Sequence, residues 1–193
     1  MIIGLTGGTG TGKTSVSEHF AAAGFKVIDY DKVTREIYKK GSCCLNEVVA
    51  AFGQDILTPD GELCRKKLGE IVFANKEKLE LLNSIVYKYI LNHTAAQIEE
   101  NKNGKLLLDA PTLFEAGLNK KCDYVVGVIA KKELRLERIC KRDNLSPKLA
   151  CDRIDSQKDD SFYKENCDFI IENSGKKEDL KEKVLNILGR IDI

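Results

Sequence analysis

The sequence predicts an α/β fold: a five-stranded parallel sheet with helices on both faces, an inserted all-helical segment and a charged lid. Three observations predict it. Short apolar runs alternate with helical patterns along the 193 residues, as they do when parallel strands are joined by helical crossovers. The runs are apolar throughout, which suits strands buried on both faces. About seventy residues of helical pattern then separate the second strand from the third, where a crossover needs only about a dozen.

In chain order, Ile2-Ile3-Gly4-Leu5 is the first strand and residues 13–23 the first helix, stopped by Gly24. Lys26-Val27-Ile28 forms the second strand and runs into Asp29-Tyr30-Asp31. Short helices follow at residues 33–39, 45–52 and 63–73, with a turn at Thr58-Pro59-Asp60-Gly61. Residues 76–101 read as one long helix, because Leu79, Leu82, Ile85, Val86, Ile90 and Leu91 recur at helical spacing. Residues 105–109 are the third strand, 124–130 the fourth, and 168–171 the fifth. Charged residues 131–142 and amphipathic residues 176–190 are helices. No internal repeat or low-complexity tract is visible.

Composition excludes several classes. Lys and Arg total 31 against 30 Asp and Glu, a formal charge of +1, whereas a nucleic-acid binder is usually strongly basic. Any anion site must be local. With 42% hydrophobic and 32% charged residues, the chain can bury a core without a metal or disulfide staple. The longest apolar run, residues 124–130, falls far short of the ~20 residues of a membrane span, and the first residues lack the basic start of a signal peptide. Seven cysteines in no C-x-x-C pair, with only His19 and His93 for company, read as reduced thiols rather than a zinc site. A cytoplasmic location, no membrane or nucleic-acid partner and a monomeric state are expected.

The run Gly7-Gly8-Thr9-Gly10-Thr11-Gly12-Lys13-Thr14 satisfies G-x-x-x-x-G-K-[ST], the P-loop pattern, and stands between a strand and a helix as its mechanism requires. Glycines let successive amides converge on phosphate oxygens, and the helix N-terminus beginning near Lys13 and Ser15 adds its positive end. Lys13 is expected to reach the β- and γ-phosphates of ATP and Thr14 to bind Mg²⁺. The dinucleotide fingerprint G-x-G-x-x-G is absent. So is a guanine clamp [NT]-K-x-D, since Asn119-Lys120-Lys121 is followed by Cys122. A small-molecule kinase is the favoured class; a nucleotide-dependent switch or binding module is the alternative.

Three further groups have two readings each. Asp31 lies two residues beyond Asp29, so strand alternation would set both carboxylates on one face at the sheet's carboxyl edge. There Asp31 could orient and deprotonate an acceptor hydroxyl; it could equally cap the next helix. Arg138 and Arg142, with Arg135 one turn earlier, share a helix face, which answers either a nucleotide's phosphates or water. Asp109 ends an apolar strand, where it could support Mg²⁺ or simply close a turn before Pro111. Residues 144–160, with Arg153 inside, have the charged composition of a mobile lid.

These segments together resemble the dephospho-CoA kinase family across nearly the whole chain. Residues 4–14 are similar to its G-L-T-G-G-I-G-S-G-K-S, and Val27-Ile28-Asp29-Tyr30-Asp31 with Arg35 to its V-I-D-A-D followed by Arg. Asp109-Ala110-Pro111-Thr112-Leu113-Phe114-Glu115 is similar to D-x-P-L-L-F-E, and Arg138 with Arg142-Asp143 to R-x-x-x-R-D. Arg153-Ile154 with Gln157 resembles the lid pattern R-I-x-x-Q, and residues 168–175 the D-x-x-I-x-N-x-G strand and loop. The chain departs from the family at Tyr87-Lys88, where His-Pro is usual, and at Thr112, where Leu is usual.

The resemblance implies a P-loop kinase fold and transfer of phosphate from ATP to the ribose 3′-hydroxyl of dephospho-CoA. It implies Asp31 as catalytic carboxylate and Arg35, Pro111, Leu113, Phe114 and Glu115 as acceptor-site residues. It also implies Asn173 and Gly175 beside the adenine. In the mechanism expected here Lys13 helps hold ATP, while Arg138 and Arg142, with Arg153 of the lid, neutralise charge on the transferring group. The expected division is a nucleotide-binding core of about residues 1–31, 104–143 and 167–193, an acceptor-binding insertion of about 32–103 and a lid of about 144–166.

Overall fold

β1 (Ile2–Gly7) is buried from Ile3 onward, so it needs partners on both edges and cover on both faces. It has them. The structure, a computed structural model, describes residues 1–175 and 179–191. It divides the chain into two units, Met1–Ile28 with Asn103–Ile193, and Asp29–Lys102.

In the first unit β1 is the central strand of a five-stranded parallel sheet ordered β2-β3-β1-β4-β5. The other strands are β2 (Lys26–Asp29), β3 (Leu106–Asp109), β4 (Tyr124–Ile129) and β5 (Phe169–Glu172). Ile3 sits opposite Leu107 on one side and Tyr124 on the other, and Val128 opposite Ile171. One face of the sheet carries α1 (Lys13–Ala22) and α9 (Asp179–Arg190), whose Val16, Phe20, Leu180, Val184 and Ile187 pack on Ile3, Leu5, Leu107, Val126 and Val128. Residues 176–178, expected at the start of that last helix, lie outside the described residues.

The opposite face is covered closely. Gly4 lies against the side chains of Leu113 and Cys122, and Gly127 against Cys167, Ile170 and Tyr163 of α8 (Asp160–Asn166). α6 (Lys132–Asp143) and α7 (Pro147–Asp155) form a corner packed by Ile139, Ala150 and Ile154. Asn144 turns that corner at φ 53°, a left-handed conformation that Asn tolerates better than most residues. Ser146 caps α7 by accepting from the Leu149 amide, with Pro147 in the first turn where no amide is needed. The Lys132–Asp155 pair at 2.5 Å and the Arg153–Asp143 pair at 2.7 Å also hold the corner.

The second unit is helical: α2 (Tyr30–Ile37), α3 (Cys43–Phe52), α4 (Arg65–Phe73) and the 25-residue α5 (Lys76–Glu100). Val33, Tyr38, Leu45, Val48, Ile56, Leu68, Val72, Ile85, Val86 and Ile90 are buried. Polar ties supplement this packing. The hydroxyls of Tyr30 and Thr94 bond in the interior, joining α2 to α5, and Glu47 accepts from Lys88 and Tyr89, joining α3 to α5. Those two donors hold the Glu47 carboxyl below its ordinary range. All seven cysteines are unbridged. No described helix is long and apolar enough to cross a membrane.

The structure corrects the expected path after β2. Strand alternation does not reach Asp31, because β2 ends at Asp29 and α2 begins at Tyr30. The cap is Asp29, whose Oδ1 accepts from the amides of Asp31 at 3.0 Å and Lys32 at 3.2 Å. Asp31 stands in the first helical turn, so it is not the cap. Tyr30, 4% exposed and bonded to Thr94, brings the chain into helix three residues before the expected start at 33.

Phe20 fills the α1–sheet interface with no exposed surface and meets Phe25 edge to face, 5.4 Å between centroids. Phe20→Ala should cost about 3–5 kcal/mol, read as a lowered urea midpoint. A loss below about 1 kcal/mol would contradict this packing.

Candidate active site

The loop between β1 and α1 begins where the sheet ends. Gly12 is the N-cap of α1 at φ 87°, a conformation costly for any residue with a Cβ, and an added Cβ would also overlap the Asn173 amide nitrogen. α1 therefore starts at Lys13. Among the described residues, the amides of Gly10, Gly12, Lys13 and Thr14 have no protein acceptor. Thr11, 1% exposed, turns inward and donates its hydroxyl to Gly8 O at 2.8 Å, bracing the loop from within.

The loop carbonyls are held from outside. Arg135 Nε donates to Thr9 O at 2.9 Å. Arg138 Nη1 donates to Gly10 O at 3.2 Å and Thr11 O at 3.4 Å, and its Nη2 to Asn173 O at 3.1 Å. Asn173 Nδ2 donates to Thr11 O at 2.7 Å. In a planar trans peptide, C=O and the following N–H point in opposite directions. Fixing the oxygens of Thr9 and Thr11 therefore directs the amides of Gly10 and Gly12 the other way, into one concavity. That is an anion nest at a helix N-terminus.

Lys13 and Asp109 form an ion pair with side chains only 15% and 10% exposed, so an ammonium and a carboxylate stand together at the carboxyl ends of β1 and β3. Thr14 is exposed and Ser15 half-buried in the first turn of α1. No group of three or more His, Cys, Asp or Glu among the described residues is arranged as a metal cage. Magnesium carried with a nucleotide needs only one or two protein oxygens, and the Thr14 hydroxyl and Asp109 carboxylate are hard oxygen donors of that kind. The residues present fit this ion.

Arg142 donates through Nε and Nη2 to both oxygens of Asp143, at 2.8 and 2.9 Å, and through Nη2 to Thr9 Oγ1 at 3.4 Å. Arg153 also bonds Asp143. The Arg142 hydrogen bonds, with the charges of both arginines, hold the Asp143 carboxyl below its usual range. The structure thus gathers Lys13, Arg138, Arg142 and Asn173 at the loop and links Arg153 to it through Asp143. Gly175 lies on the bend after β5.

The acceptor-segment residues differ among themselves. Pro111 is half-buried, its carbonyl accepting from Thr6 at 3.3 Å. Leu113 is 0% exposed and spent against Gly4 of the sheet. Phe114 is half-buried and packs edge to face on Phe162, 5.2 Å between centroids, and Glu115 is exposed. Asp31 and Arg35 are exposed on α2 of the helical unit. Burial pushes the Cys122 and Cys167 thiols up to about 12, so neither is a nucleophile at neutral pH.

Two contributors lay outside the predicted site residues. Arg135, 4% exposed, and Gln157 both reach Thr9. Arg135 was legible as one of three arginines on a helix face, but spacing alone cannot tell a guanidinium bound to carbonyls from one awaiting an anion.

A family model described as dephospho-CoA kinase matches residues 1–179. A dephospho-CoA kinase of Fusobacterium nucleatum is 44% identical over 185 residues, 95% of each chain. One of Arabidopsis thaliana is 38% identical over 193 residues, 98% of this chain and 83% of the plant protein. The solved structure of a dephospho-CoA kinase from Campylobacter jejuni matches with a TM-score of 0.71 at 30% identity, covering 98% of this chain and 96% of the other. With matches of this length and strength, the chain belongs to the dephospho-CoA kinase family.

Proposed function

We propose that this chain transfers the γ-phosphoryl group of ATP to the ribose 3′-hydroxyl of dephospho-CoA, giving coenzyme A and ADP, the last step of coenzyme A formation. The observation that carries this reading is the nest: inward amides at Gly10, Gly12, Lys13 and Thr14, without protein acceptors among the described residues, beside the Lys13 ammonium. The family supplies the acceptor.

The donors of residues Gly7 to Ser15 hold the triphosphate, and Asn173 and Gly175 border the adenine. Lys13 leaves Asp109 for the β- and γ-phosphate oxygens. Asp31 orients the 3′-hydroxyl and accepts its proton as the new O–P bond forms and the bond to the β–γ bridging oxygen breaks. Arg35, Pro111, Phe114 and Glu115 hold the acceptor; Leu113 supports that segment from below. Arg142 and Arg153 answer the charge spread over the transferring group, while Arg138 keeps the loop in shape. The Thr14 hydroxyl and the Asp109 carboxylate would hold magnesium, which would supply positive charge against the phosphate oxygens. The balanced charge of 31 basic and 30 acidic residues supports the reading that no nucleic acid is a partner.

Purified protein given ATP, Mg²⁺ and dephospho-CoA should form coenzyme A, and should phosphorylate other hydroxyl acceptors poorly. ATP hydrolysis indifferent to any acceptor would overturn the assignment. Lys13→Met, which keeps the packed stem but not the charge, should lower kcat/KM about a hundredfold or more with an unchanged circular dichroism spectrum. Asp31→Asn should lower kcat about a hundredfold or more while ATP affinity, measured by calorimetry, stays within about twofold. Normal turnover by that variant would remove Asp31 from the mechanism.

A further inference from the structure

Thr9 stands at the tip of the phosphate loop, and each of its polar atoms is held by a side chain from another part of the same unit. Its amide donates to Gln157 Oε1 at 2.7 Å, its carbonyl accepts from Arg135 Nε at 2.9 Å, and its hydroxyl accepts from Arg142 Nη2 at 3.4 Å. Arg135 also reaches one of these partners and α8: its Nη2 donates to the same Gln157 oxygen at 3.4 Å, and its Nη1 stands 3.9 Å from Asp160 of α8. Gln157 sits between α7 and α8, so the helical corner and the loop tip share one hydrogen-bonded ring.

Arg135 is 4% exposed. A guanidinium taken out of water needs its donors satisfied, and here they meet one loop carbonyl, one side-chain amide oxygen and one carboxylate. Lysine could not serve all three in a plane. Gly8 makes the approach possible: a Cβ there would overlap Arg135 Nη2 and lie 3.2 Å from Gln157 Oε1.

We propose that Arg135 and Gln157 are positioning residues for phosphoryl transfer. By holding the amide and the carbonyl of Thr9, one in each of its two flanking peptide groups, they set the direction of the loop tip, so the loop keeps its phosphate-binding shape only while the α7–α8 segment is docked on it. Neither residue needs to touch the nucleotide. Their effect passes through Thr9 to the adjoining Gly10 amide, which faces the nest. This rests on the reading that the nest holds ATP.

Gln157 is exposed, and Gln157→Met keeps the length of the side chain while removing the acceptor, so folding should survive. Loss of one such bond should raise the dissociation constant of ATP–Mg²⁺, measured by calorimetry, about three- to tenfold. The KM for ATP should rise in step, with the KM for dephospho-CoA within about twofold of wild type. Hydrogen exchange at the Thr9 amide should quicken while exchange in the sheet stays unchanged. Arg135→Lys should shift ATP affinity in the same direction.

Unchanged ATP affinity in Gln157→Met would overturn the proposal, as would a fall in kcat alone at unchanged KM. Tighter ATP binding would show that Gln157 competes with phosphate and would equally overturn it. Wild-type enzyme in the same experiments separates the two readings. If it neither binds ATP nor forms coenzyme A, the functional assignment has failed; if it does both and the variant matches it, only the positioning role has.

Discussion

The outward tethering of the loop carbonyls is the constraint on which the rest of the site depends. A glycine-rich segment has no intrinsic preference for one concave shape, because glycine populates both signs of φ. What selects the shape here is where the carbonyl oxygens of Thr9, Gly10 and Thr11 are held, by Arg135, Arg138 and Asn173. The anchors come from α6 and from the end of β5, elements whose own positions are set by the core and by the α6–α7 corner. Rigidity in the sheet is thereby converted into direction at the amides. Electrostatic binding of a phosphate rewards that arrangement, since donors already aligned need no reorganisation when charge arrives.

The same arrangement explains how a chain of almost zero net charge gathers cationic side chains in one place. Lys13, Arg135, Arg138, Arg142 and Arg153 all belong to one unit, and the carboxylates that accompany several of them, Asp109, Asp143 and Asp160, are paired with them directly. Arg135 and Lys13 are too buried for water to screen them well. Their charge acts at short range, on a bound anion, rather than as a broad field attracting any polyanion.

Much of the fold was legible because the deciding forces are local. The apolar strands, the glycine loop and the periodicity of α5 each carry their signal in one window, and the structure places all five strands within two residues of the reading. The exceptions are instructive. Asp29 and Asp31 are both of a residue type that caps helices; Asp29 is the cap, and Tyr30 between them is held in the helix by a bond to Thr94, sixty-four residues away. α8 was read as charged lid because its apolar anchors are few: Tyr163, 5% exposed, and half-buried Phe162, which packs on Phe114. In the candidate site, the P-loop motif located the loop where the amides of Gly10, Gly12, Lys13 and Thr14 lack protein acceptors among the described residues, but what the arginines bond depended on distances that no spacing rule contains. Leu113 shows the opposite case: a residue inside the acceptor segment whose side chain is spent entirely on the core.

The departure at Tyr87-Lys88 has a physical consequence for the helical unit. A proline at this point inside a helix would remove one backbone hydrogen bond and clash with the preceding turn, so it would bend α5. Lysine does neither, and α5 runs unbroken through 25 residues. Its ammonium meets Glu47 of α3 at 2.6 Å, and Tyr89 donates to the same carboxylate at 2.7 Å. Two helices are thus tied through side chains at this point. The pair is half-exposed, with side-chain exposures of 52% and 38%, so it adds little stability by charge alone. Its value lies in register. Bonds from successive residues 88 and 89 to one carboxylate define the rotation of α5 against α3, and that rotation keeps Ile85, Val86 and Ile90 on the inner face.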